Sequence, residues 1–299
     1  MTRLRADALL LLIAVIWGTA FVFQKAGNAD MTPLWFVAVR FAISATALAG
    51  PALVERRRAT QPLSRASLGI AAALGACLAV GACLQQTALV TATATNAGFL
   101  TALYVVLVPF TSWLLTRQRI RRTIVLASLM AVAGAYLLGA HGALASWTVG
   151  DTLLIVSDIA WAFAISLASI FMMRANRPYF MAFVQFAITA VVGLVAALVL
   201  EGTTVPNPLP ALAALFYTAI LSGAIAYTLQ LVAQRHTTAP EAALIMSLES
   251  VFAAVAAAIW FGERLTPLGV LGCVLILLAV VAVEVGPLVL GKRLDRFGR

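Results

Sequence analysis

The sequence predicts an all-α polytopic membrane protein, with ten transmembrane helices arranged as two inverted five-helix repeats around a central cavity. Composition is the first ground. Of 299 residues, 63% are hydrophobic and only 10% charged, more apolar surface than a water-soluble fold keeps from solvent. The second is an internal echo. Asp7–Gln24, DALLLLIAVIWGTAFVFQ, returns as Asp151–Ile170, DTLLIVSDIAWAFAISLASI, with Trp17 and Trp161 each ten residues after the Asp. Val39–Ile43 returns as Val184–Ile188, and Gln118–Ile120 as Glu263–Leu265, both shifted by 145. Echoes at one spacing mark a tandem duplication. The third is the placement of positive charge. All but three of the 20 Lys and Arg fall at the termini or in every second loop; the exceptions are Lys25, Arg40 and Arg264. That is the positive-inside pattern. It puts both termini in the cytoplasm and makes the net charge of +9 a matter of orientation, not of nucleic-acid binding.

Spans of about 20 apolar residues are expected over 6–24, 33–54, 67–88, 94–115, 123–140, 151–173, 178–200, 210–232, 240–260 and 267–289. The first resembles a signal peptide, but its apolar run is too long and no small-residue cleavage site follows, so it reads as an uncleaved span. Five spans per copy is odd, so the second copy, 146–299, enters the membrane inverted relative to the first, 1–145. Such pairs support alternating access in many transporters. Thr32-Pro33 and Thr266-Pro267 place a capping hydroxyl before a first-turn proline. Thr238–Glu241 reads as a capping box. Pro51 is expected to close the second span. Pro109 should kink the fourth, as a hinge or as a packing bend.

No Ser-His-Asp grouping, metal-ligand cluster or phosphate loop is evident, and His141 and His236 fall at opposite faces, so no enzyme and no cofactor is expected. Cys77, Cys83 and Cys273 lie within spans and read as packing residues. Candidate function rests on polar groups at membrane depth, where charge is costly. Glu249 lies about 15 Å from the inner end of the ninth span at 1.5 Å per residue. It could bind an amino group, carry a proton, or serve as a buried structural acid. Arg40 and Asp158 both lie about 10 Å below the outer surface and could pair, as a structural clamp or as an outer gate. Gln185 replaces Arg40 in the second copy. Trp17 and Trp161 are too deep for interfacial anchors, which leaves a cavity wall or core packing. Asn96, Tyr104 and Tyr227, with Gln85, Gln86 and Gln230, are further candidates for the wall.

These stretches resemble the EamA-type branch of the drug/metabolite transporter superfamily. The resemblance is carried by IWGTAFVFQKAG, VRFAI, LYVVLVPF, GDTLLIVSDIAWA and above all APEAALIMSLESVFAAVAAAIWFGERLTPLGVLG. The match runs over nearly the whole chain. It departs at Glu249-Ser250, where the family often has Glu-Pro, and it sets Val108-Pro109 as the corresponding pair in the first copy. The resemblance implies a central cavity and export of small metabolites, with bacterial inner-membrane amino-acid exporters, including the aromatic amino-acid type, nearest. The expected function is therefore broad export of amino acids from the cytoplasm, with efflux of drugs or nucleobase-like metabolites as the alternative. A non-transporting scaffold is disfavoured by short loops and tail. The expected partners are a small-molecule substrate and the lipid bilayer; monomer and dimer both stay open.

Overall fold

A computed structural model describes residues 2–117, 120–143, 147–262 and 266–297, and over these it is helical, with no strand. In order these are α1 (Arg3–Asp30), α2 (Pro33–Arg58), α3 (Arg65–Ala88), α4 (Ala94–Thr101), α5 (Tyr104–Thr116), α6 (Arg122–Ala143), α7 (Val149–Arg174) and α8 (Pro178–Leu200). Then come α9 (Leu212–Phe216), a π-helical stretch (Tyr217–Tyr227), α10 (Thr228–Ala233), α11 (Ala239–Met246), α12 (Glu249–Phe261) and α13 (Pro267–Phe297). Eight continuous or nearly continuous helical stretches are long and apolar enough to cross a membrane, and Arg122–Leu137 and Pro267–Val283 are shorter apolar helices. This is a multi-pass membrane protein. Most of the echo at 118–120 and all of that at 263–265 lie outside the described residues, as does the side chain of His141.

Helix starts follow capping chemistry. Ser64, Thr93, Thr148 and Thr238 each accept a hydrogen bond from a first-turn amide. Thr238–Glu241 is a reciprocal box, as its sequence predicts, and so is Thr148–Asp151. Thr266 accepts from Gly269 N at 3.1 Å. Thr32 departs from expectation: its hydroxyl donates to Glu201 Oε2 at 2.6 Å. The Glu201 carboxylate instead accepts from Leu34 N at 2.9 Å and Trp35 N at 3.1 Å. At the other end of the same helix pair, Glu55 of α2 accepts from Tyr179 N (3.4 Å) and Phe180 N (2.7 Å) of α8. Each helix thus lends a carboxylate to the other's N-terminus, where the macrodipole and the free amides favour an anion. Pro51 does not close the second span, because α2 runs on to Arg58. One missing N–H and a local bend are tolerated in a helix held by its neighbours.

The fourth and ninth spans are both broken, and at matching places. α4 and α11 have 8 residues each, and α5 and α12 have 13 each. Every boundary is offset by 145. At the first break Leu103 N bonds Leu100 O, Val105 N bonds Ala102 O and Val106 N bonds Leu103 O. At the second, Leu248 N bonds Ile245 O, Ser250 N bonds Ser247 O and Val251 N bonds Leu248 O. These i→i−3 bonds tighten the backbone locally. The final caps match too: Arg117 (φ 57°) and Gly262 (φ 69°) are both left-handed. The counterpart of Glu249 is therefore Tyr104, not Val108, and that of Pro109 is Ala254. The ninth span breaks without a proline, so the missing Glu-Pro does not remove the break.

Packing follows an inverted-repeat pattern. α2 runs along α8 and α6 along α13. α3 lies against α7, as α1 lies against the 212–233 segment, and α1 meets α12 as α7 meets α5. Where backbones approach most closely the residue is glycine. A Cβ at Gly98 would sit 2.4 Å from Ala253 Cβ, and one at Gly150 would sit 2.3 Å from Ala88 O.

Candidate functional site

A cavity lies where α1, α2, α3, α4, α5, α7, α8, the π-helical stretch, α10 and α12 converge. The two broken spans place Tyr104 and Glu249, each the first residue after its break, on its wall. α1 contributes Trp17, Phe21 and Gln24, spaced i, i+4, i+7 and so on one helical face. α2 contributes Arg40 and Phe41, and α8 contributes Gln185, the repeat counterpart of Arg40.

The π-helical stretch positions the aromatic part of the wall. Its register turns carbonyls toward neighbouring helices, and two of them are taken up. Trp17 Nε1 donates to Ser222 O at 3.1 Å, and Ser44 Oγ donates to Ala219 O at 2.7 Å. Tyr217 also shares a hydrogen bond with Thr19 and donates to Ile16 O at 3.1 Å. π-helical turns are rare and cluster at functional sites. Tyr227, at the end of the stretch, joins the rings: its centroid is 4.7 Å from that of Trp17, 6.5 Å from Trp161 and 5.5 Å from Phe186.

Of the residues singled out in the sequence, Trp17, Arg40, Tyr104, Trp161, Gln185, Tyr227 and Glu249 line this cavity, as do Gln85 and Gln230. Asn96 does not. It sits in the first turn of α4, where its Nδ2 donates to Asp151 Oδ1 at 3.4 Å. The expected Arg40–Asp158 clamp or gate does not form either. Equal depth brought the two together in the sequence, but they occupy different faces. Arg40 lies over the rings of Phe41 (4.7 Å) and Phe36 (5.7 Å). Asp158 is 1% exposed, lies outside the cavity lining, and has no hydrogen bond to either carboxylate oxygen. Sequence reasoning passed over Gln24, Thr101, Thr218 and Ser222 of the wall. The helical spacing from Trp17 identifies Gln24; the π-helical register hides the other polar positions of 217–227.

The lining mixes rings, four glutamine amides, one guanidinium and one carboxyl. Several of its polar atoms have no hydrogen-bond partner: Arg40 Nε, Trp161 Nε1, Gln185 Nε2 and Gln24 Oε1. Buried polar groups are rarely left so unless something else satisfies them. The cavity volume is about 60 Å³, room for about four to six waters at roughly 10–15 Å³ apiece. Polar contacts tie the helices together at both ends. At the end holding the N-terminus, Glu241 meets Arg3 at 3.2 Å and Arg121 at 3.9 Å. At the other, Lys25 Nζ donates to Leu89 O (3.1 Å) and Ala92 O (2.6 Å), and Asn28 Nδ2 to Gln86 O (3.0 Å). No group of three or more His, Cys, Asp or Glu that could hold a metal occurs among the described residues.

Comparison with known proteins bears on what such a cavity serves. The model of the EamA-like transporter family matches residues 4–140 and again 148–284. An uncharacterised transporter of Archaeoglobus fulgidus is 33% identical over 287 residues, covering 94% of this chain and 86% of that protein. A crystal structure with 16% sequence identity shares the fold, with a TM-score of 0.76 over 94% of this chain and 96% of that one. Matches over both halves, with a related transporter along nearly the whole length, place the chain in a transporter family and not among enzymes: it belongs to the EamA-like transporter family.

Proposed function

We propose that the chain is a secondary transporter that carries small planar amphiphiles, nucleobase-like metabolites or drugs, out of the cytoplasm by alternating access. The supporting observation is the wall of Trp17, Trp161 and Tyr227 interleaved with Gln24, Gln85, Gln185 and Gln230. Rings stack on any planar heterocycle, and amides offer donor and acceptor together to its edge. In this reading Trp17, Tyr104, Trp161, Gln185, Tyr227 and Glu249 contact the substrate. Residues 1–145 and 146–299 are the two inverted five-helix repeats, ten spans in all, with both termini cytoplasmic in a bacterial inner membrane.

Export of amino acids is the second reading, favoured by Arg40 and Glu249 in one cavity, opposite charges suited to a zwitterion. Counterflow in proteoliposomes separates the two. Radiolabelled nucleobases, a cationic aromatic dye and aliphatic and aromatic amino acids are tested in parallel. Planar heterocycles should exchange faster than aliphatic amino acids. Stacking contributes about 1–3 kcal/mol per ring, so Trp161→Ala should reduce that exchange about tenfold. Faster exchange of aliphatic amino acids would select the second reading. No exchange above empty liposomes across the panel would sink both.

A further inference from the structure

We propose that Asp158, Glu249 and Tyr104 form a site for a monovalent coupling cation, a proton or a sodium ion, at the cavity wall. The proposal rests on the transport reading above and adds to it the groups that would link cargo to an ion gradient.

The three side chains come from separate helices. Thr111 of α5 donates to Ala162 O of α7 at 3.1 Å and meets Ser166 Oγ at 2.8 Å. Two turns back along these two helices lie Tyr104 and Asp158. Glu249 comes from α12, just after the second break. Tyr104 interacts with both acids, and Asp158 with Glu249. All three are buried, with exposures of 3% for Tyr104, 1% for Asp158 and 3% for Glu249. Asp158 Oδ1 and Oδ2 lack hydrogen-bond partners, and the Tyr104 hydroxyl and the Glu249 carboxyl face each other.

Two carboxyls so placed cannot both stay ionised without a counter-charge. The surrounding elements offer none in contact. α2 supplies Arg40, but its guanidinium lies over Phe41 and Phe36. Tyr227, from the π-helical stretch, neighbours both Arg40 and Glu249. Neither acid forms a salt bridge among the described residues. A bound cation supplies the missing charge and partners for the orphaned oxygens. Broken helices are where ion-coupled transporters place such ligands.

The arrangement also gives a route for coupling. Glu249 faces the cavity, whereas Asp158 does not. Cargo that engages Glu249 withdraws it from the cation, and the cation's return releases the cargo. If the ion is a proton, it joins a carboxylate oxygen on entry from one side and leaves that oxygen as a proton to the other.

Infrared difference spectroscopy of the reconstituted full-length protein tests this without any cargo. The carbonyl band of protonated carboxyls is followed against pH in sodium or in choline, in wild type, Asp158→Asn, Glu249→Gln and Tyr104→Phe. Removing either acid should shift the other's midpoint by about one pH unit or more, the mark of interacting sites. Tyr104→Phe, which keeps both carboxyls, should shift the wild-type profile. A sodium-specific change in wild type that is absent from both acid variants identifies sodium. Identical behaviour in sodium and choline identifies the proton. Midpoints that ignore the partner acid, Tyr104 and sodium would overturn the proposal. If an acid variant fails to fold, Tyr104→Phe and the sodium comparison decide. Coupled titration in a protein without exchange would uphold the site and remove the transport reading, and exchange without coupled titration would do the reverse.

Discussion

A methyl group at Gly18 would fall 2.5 Å from the Glu249 carbonyl oxygen, 2.6 Å from Phe252 Cβ and 2.8 Å from Ala253 N. Two of these three are backbone atoms and cannot swing aside. α1 and α12 therefore touch main chain to main chain one residue from Trp17 and directly at Glu249. The second copy solves the same problem differently. Ala162 stands in the place of Gly18, and hydroxyls of Thr111 and Ser166 tie α5 to α7. Overpacking a close contact costs about 1–3 kcal/mol. Gly18→Ala should therefore lower the unfolding temperature in detergent. Gly50→Ala, where a Cβ meets nothing within 4 Å, should not. An unchanged Gly18→Ala would show that α1 and α12 can part freely.

The two broken spans are the elements that define the cavity, and they separate what the sequence discloses from what it hides. Proline is the readable sign of an interrupted helix, and Pro109 carries it. Yet α11 and α12 part at Ser247-Leu248 with no proline, and the first break, at Ala102-Leu103, lies six residues before Pro109. A proline is not needed for such a break. Pro109→Ala should therefore leave the break in place. Amide hydrogen exchange of Tyr104, Val105 and Val106 should stay at the wild-type rate, and strong new protection there would assign the break to the proline. The apolar helices, the duplication and the place of Trp17, Trp161 and Glu249 on the cavity wall were legible because hydropathy and spacing record them directly. The faces of Asn96 and Asp158 were not, since a residue's face depends on where its helix begins and how it turns, at 3.6 residues per turn. The π-helical register of 217–227 has no sequence mark either; YTAILSGAIAY reads as ordinary helix.

At the scale of the whole molecule, the two ends of the bundle are tied by unlike bonds. Glu241 at one end holds two arginines, while the side chain of its counterpart Asn96 at the other donates to the Asp151 carboxylate at 3.4 Å. Lys25 there bonds neutral carbonyls. Raising salt from 0.1 to 1 M shortens the Debye length from about 10 to 3 Å. Half-exposed ion pairs such as Arg3–Glu241 contribute about 0.2–1 kcal/mol. Hydrogen exchange at Leu4–Asp7 should accordingly rise up to about fivefold in high salt, with no matching rise at Lys25–Asn28. Equal responses at both ends would contradict the asymmetry. Under the alternating-access reading proposed above, catches of unlike strength would make the ionic composition of the water at one end an input to which way the bundle leans.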